Sequence, residues 1–168
     1  MKTPLQQWLC AGLVYVALGS AAQAHIVLSE PQATAGQYYK ATLRVGHGCA
    51  GSATHTLVVQ VPAGFQGAKP QPKTGWAVVT RKAKLTQPYT SHGKTVTDDV
   101  VELRWTAANQ ESRLPDAQFD EFAFMGRLPD QPGPLWVKVL QMCESGQNDW
   151  SQVPATGTST RGLPLPAA

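Results

Sequence analysis

Apolar and polar residues alternate with a period of two along much of this chain. Val101, Leu103 and Trp105 share one side of a run whose other side carries Glu102 and Arg104, the pattern of a half-buried strand. Phe122 and Phe124 alternate in the same way with Ala123 and Met125. Strand-type residues also dominate Tyr38 to Val45, Thr56 to Val61, Trp76 to Lys82 and Leu135 to Cys143, and a short run from His25 to Leu28 stops before Pro31. Turn chemistry lies between these runs. The Gly- and Ser-rich stretch Gly46 to His55 reads as a hairpin connection, and Pro62-Ala63-Gly64 closes the following run. Lys69 to Gly75, with two prolines, reads as loop, Pro88 to Gly93 as a turn, and Glu144-Ser145-Gly146 as a hairpin turn towards Trp150. No segment keeps a helical period. Seven or eight short strands predict an all-β chain, a β-sandwich of cupredoxin or immunoglobulin type.

The two ends fall outside this pattern. Lys2, the apolar run from Trp8 to Leu18 and the small-x-small triplet Ala22-Gln23-Ala24 make residues 1–24 a signal peptide. Its apolar run is too short for a stable membrane span. The expected product is a soluble periplasmic or secreted protein whose domain covers residues 25–153. The remainder, 154–168, is rich in Pro, Gly, Ser and Thr and reads as a flexible tail. Cys10 leaves with the signal, so Cys49 and Cys143 remain. In an oxidising compartment such a pair forms a disulfide; in reduced form it is a thiolate metal site. The formal net charge of the full chain is +3 with its basic residues scattered, and nothing points to nucleic acid.

Cleavage after Ala24 would make His25 the first residue. Its α-amine and Nδ1 can then close a chelate ring on one metal, and both nitrogens become available near neutral pH. Nitrogen donors with room for further ligands suit tetragonal Cu(II), which heads the affinity order at such sites. His47 and His55 flank one loop and are candidate further donors, against the plainer reading of solvated loop histidines. His92, between Ser91 and Gly93, reads as a turn residue. Trp76, Trp105, Met125 and Met142 read as core.

Several separated motifs occur in order: His25-Ile26-Val27-Leu28, Arg44-Val45-Gly46-His47-Gly48-Cys49, Lys69-Pro70-Gln71-Pro72-Lys73-Thr74-Gly75-Trp76, Phe122-Ala123-Phe124, and Gln141-Met142-Cys143-Glu144-Ser145-Gly146 followed by Trp150. In these the chain resembles the YcnI-like family of extracytoplasmic copper-binding proteins. The resemblance implies a cupredoxin-like sandwich with Cu(II) on the N-terminal histidine, a carboxylate as further ligand and a tryptophan beside the metal. His25 matches the histidine and Trp150 the tryptophan. The loop expected to carry the carboxylate holds His47 and no Asp or Glu, so His47 is expected to replace it; His55 or a carboxylate from elsewhere are the other options. A Cys49–Cys143 bridge would tie that loop to the strand leading into Trp150.

The expected role is copper buffering, trafficking or delivery, with other periplasmic copper chaperones or a membrane copper transporter as partners. Two other readings are a copper monooxygenase-like enzyme and a metal-free interaction module. No nucleophile and base can be paired, and Asp120 and Glu121, adjacent in a strand, face opposite sides, so catalysis is not expected.

Overall fold

A computed structural model of the protein describes residues 26–153. The expected signal peptide 1–24, the expected terminal donor His25 and the expected flexible tail 154–168 therefore lie outside the described residues. Nine strands follow one another: β1 (Val27–Leu28), β2 (Tyr38–Val45), β3 (Thr54–Gln60), β4 (Gln66–Pro70), β5 (Trp76–Ser91), β6 (Lys94–Ala107), β7 (Asp120–Arg127), β8 (Lys138–Cys143) and β9 (Gln147–Trp150). They form two antiparallel sheets, one ordered β1-β2-β7-β4 and the other β5-β6-β3-β8-β9.

The alternation read from the sequence is the inner-face pattern of these sheets. Leu43 and Val45 of β2 and Phe122 and Phe124 of β7 point from the first sheet. Leu57 and Val59 of β3, Leu103 and Trp105 of β6 and Val139 of β8 meet them from the second. Trp76 and Trp105 are core residues, as expected. Their rings meet Phe122 edge-on, with centroids 4.9 and 5.9 Å away, the geometry that the aromatic quadrupole favours.

Four expectations need correction. First, β2 and β3 are not a hairpin. β2 pairs with β1 and β7, and β3 with β6 and β8. Both strands carry apolar inner faces, and each covers the other only from an opposing sheet, so the connection crosses the sandwich. Second, Lys69 and Pro70 belong to β4, where they oppose Met125 and Phe124. β4 is an edge strand, and an edge tolerates a residue without an N–H. Third, β5 runs through Pro88 to Ser91, because the ladder with β6 is interrupted between Lys84 and Tyr89 and then resumes. His92 is the turn residue expected: it and Gly93 have φ of 48° and 73°, as a tight two-residue hairpin requires. Fourth, Met125 is 47% exposed on the outer face of β7, and Met142 is only partly buried.

The long β5–β6 hairpin is fastened to the sandwich by a buried carboxylate. Asp99 of β6 accepts hydrogen bonds through Oδ2 from the Gly67 N–H (2.7 Å) and the Tyr89 hydroxyl (2.7 Å). Burial, reinforced by that bond to Asp99, pushes the Tyr89 phenol up to about 12 from its ordinary 10.0. A raised folded value means the contribution to stability is complete below pH 10 and disappears as the pH climbs through about 12. Unfolding free energy, followed by chemical denaturation from pH 9 to 12, should decline over that window. Tyr89→Phe should remove this part of the decline; an identical alkaline profile in the variant would count against the assignment.

Candidate metal centre

The connection from β2 to β3, residues 46–53, has to carry polar backbone across one pole of the sandwich. A small turn organises it. Cys49 and Ser52 exchange backbone hydrogen bonds (3.1 and 3.0 Å), and Ala50 and Gly51 between them have φ of 48° and 86°. A two-residue turn with both φ values positive matches strand twist, and Gly51 adopts its part without strain. Gly48 packs so closely that a Cβ there would stand 1.8 Å from the Ser52 carbonyl oxygen.

Neighbouring segments pin this loop from several sides. The Gly48 N–H donates to Asp116 Oδ1 (3.0 Å), on the segment between β6 and β7. Thr54 and Leu114 exchange backbone bonds (2.8 and 2.9 Å). Ser52 Oγ donates to the Ser145 carbonyl (2.8 Å) in the β8–β9 turn, and Arg113 pairs with Glu144 of the same turn. Cys49 and Cys143 form the expected disulfide, closing a sequence separation of 94 residues.

His47 is half-buried in this frame. Its Nδ1 lies 2.5 Å from the Gly48 carbonyl oxygen. A carbonyl can only accept, so Nδ1 carries a proton, and in the neutral ring the lone pair resides on Nε2. That Nε2 is buried and has no hydrogen-bond partner among the described residues. Leaving such a nitrogen unsatisfied costs on the order of 1–3 kcal/mol. A neutral imidazole with its second nitrogen proton anchored on a carbonyl is the form in which histidine binds metals.

Trp150 is 2% exposed on β9 and joins the core, yet its indole also faces this site. Its Nε1–H donates to Gln141 Oε1 (3.3 Å), and Gln141 Nε2 donates to the His47 carbonyl (2.6 Å). One amide thus connects His47, Trp150 and, two residues along β8, the disulfide. His55 is elsewhere in the network. It sits at the bulge where β3 shifts register against β8, and its Nδ1 pairs with the Thr56 hydroxyl (2.9 Å). Among the described residues it shares no hydrogen bond with His47, Gln141 or Trp150, and no group of three His, Cys, Asp or Glu side chains converges on a common point. Position 25 is not among those residues.

Sequence reasoning missed Gln141, Asn148 and Asp116. Gln141 did leave a signal: it is the lone polar side chain at an inward position of β8, between Val139 and Cys143. Asp116 left none, because a contact with Gly48, 68 positions away, has no local trace.

The family model of a domain of unknown function, DUF1775, matches residues 25–168. The chain belongs to the DUF1775 family. No curated protein matches it. A crystal structure of an uncharacterized protein from Nocardia farcinica, described as revealing an immunoglobulin-like fold, is similar to this DUF1775 chain with 23% identity and a TM-score of 0.64. The similarity covers 85% of this chain and 94% of that one. It supports the sandwich architecture.

Two changes probe how this DUF1775 loop is held. Gly48→Ala should destabilise the protein by roughly 1–3 kcal/mol, as overpacking does, seen as a lower denaturant midpoint. Replacing Cys49 and Cys143 by Ala together should remove about 4–5 kcal/mol, the chain-entropy value for a loop of this length. Unchanged midpoints would show that the loop tolerates both losses.

Proposed function

We propose that this protein is an exported, non-catalytic member of the DUF1775 family that binds Cu(II) as cargo. In this reading the α-amine and imidazole of His25 and the imidazole of His47 hold the ion, and the protein buffers it or passes it on in the periplasm. The observation that carries the reading is the His47 imidazole, whose Nδ1–H is anchored on a carbonyl and whose buried Nε2 has no hydrogen-bond partner among the described residues.

The course of β1 supports His25 as the other donor. Val27 opposes Arg44 in an antiparallel pair, and Ile26, next along, is 2% exposed. Ile26 therefore stands near the end of β2 from which the His47 loop departs, one residue along the sequence from position 25. The family match beginning at residue 25 and the likeness to YcnI-like copper proteins fit the same picture. Imidazole and amine nitrogens suit Cu(II). Trp150 offers an N–H and no good lone pair; it would wall the site rather than ligate. Asp116 is a carboxylate in contact with the loop, and its Oδ1 is engaged by Gly48. A passing role implies partners of matching chemistry, other periplasmic copper chaperones or a membrane copper transporter.

Protein processed to begin at His25 should bind one equivalent of Cu(II) with a nitrogen-rich, axial paramagnetic resonance spectrum and quenched tryptophan emission. One residue added ahead of His25 should abolish tight binding. His47→Ala should weaken binding by at least about the 10–100-fold typical of changes around a metal site. Equal affinity with the extended terminus would overturn the proposal, and no binding at all would leave a metal-free module.

A further inference from the structure

We infer that Gln141 is the positioning residue of this site, the group that sets His47 and Trp150 relative to each other; the inference rests on the copper reading above. Gln141 is fully buried, at 0% exposure, on the inner face of β8. Its amide has two N–H donors and two acceptor lone pairs, and all four are used. Nε2 donates to the His47 carbonyl (2.6 Å) and to Thr54 Oγ1 (2.8 Å). Oε1 accepts from Asn148 Nδ2 (3.2 Å) and from Trp150 Nε1 (3.3 Å).

The neighbours dictate which end of the amide points where. A carbonyl cannot donate and an indole N–H cannot accept, so the nitrogen must face His47 and the oxygen must face Trp150. No other uncharged side chain of this length offers both. An ionised glutamate would lack the donor for His47, and a methionine of similar length would lack donor and acceptor alike. The amide also complements the disulfide. Cys49 follows His47 by two positions and Cys143 follows Gln141 by two, so the loop and β8 are joined by a covalent link and a hydrogen bond either side of the same stretch. The bridge restrains the backbone of the loop, whereas the amide fixes the carbonyl of the residue whose ring offers Nε2. That arrangement holds the donor in place before any ion arrives.

Thr54 provides the control. Its hydroxyl is buried and bonded to the same amide, but it contacts neither the His47 carbonyl nor the Trp150 indole in the described network. Thr54→Val and Gln141→Met should both lower the melting temperature of the processed full chain. Only Gln141→Met should weaken Cu(II) binding about tenfold or more, change the copper hyperfine splitting and alter tryptophan quenching. Equal copper affinity and identical spectra in Gln141→Met and the unaltered protein would overturn the inference, and so would equal losses in Thr54→Val. Should Gln141→Met fail to fold, nuclear magnetic resonance of the metal-free protein decides: the Gln141 amide protons and the Trp150 indole proton should exchange slowly with solvent. Exchange at the rate of a free side chain would sink the inference. Failure of the unaltered protein to bind Cu(II) would remove the copper reading itself and is read before any variant.

Discussion

A chain that passes from one layer of a β-sandwich to the other must carry its backbone across a gap of about 10 Å, and its amides and carbonyls must find partners on the way. Here that crossing is the segment between Val45 and Thr54, and its constraints shape the whole pole. The tight turn at Ala50-Gly51 shortens the path. The Gly48 amide is satisfied by Asp116, the His47 carbonyl by Gln141, and the Thr54 backbone by Leu114. Each partner comes from a different part of the chain, so the pole assembles only when both sheets have closed on each other. The Cys49–Cys143 bridge then ties the crossing to β8.

The buried polar cluster is the counterpart of the apolar interior. A glutamine at zero exposure would carry a large desolvation penalty if any of its bonds were missing. Gln141 escapes that penalty because its four hydrogen-bonding positions are all matched. Among the described residues, the His47 Nε2 is the exception in the same neighbourhood. Surrounding polar groups are paired, so an unpaired nitrogen there stands out as a vacancy in an otherwise complete network, and exceptions of this kind call for an explanation. The metal-donor role proposed above would supply one.

The opposite strand edges are managed by ordinary means. β4 ends in a proline, and the long β5–β6 hairpin is anchored through Asp99 to β4 and to Tyr89. These features lie away from the His47 loop, and none of their carboxylates joins it. The buried polar cluster is concentrated where the crossing loop meets β8 and the β8–β9 turn.

The sequence by itself determined the strand content, the inner faces and the tight turns, because alternation and turn residues act within a few positions of themselves. Tyr38 to Val45 as a strand, the alternating inner positions of Trp105 and Phe122 and His92 as a turn residue were legible in this way, while the Cys49–Cys143 pair followed from cysteine count and expected export. It also raised His47 as a candidate donor, from its place on a loop and then from motif likeness, and Trp150 from motif likeness alone. Sheet membership was beyond it: a glycine-rich connection between two apolar strands serves a hairpin or a crossing equally well, and only the pairing of β2 with β7 and of β3 with β6 and β8 decides. Edge position, which lets Pro70 join β4, depends in the same way on which strands lack a neighbour. The link from Trp150 through Gln141 to His47 spans more than ninety residues, and its distances arise only after the sheets have stacked. Hydrogen bonds of that range are set by tertiary closure, so the tertiary structure alone revealed that the His47 Nε2 is buried with no partner among the described residues while His55 spends its Nδ1 on Thr56.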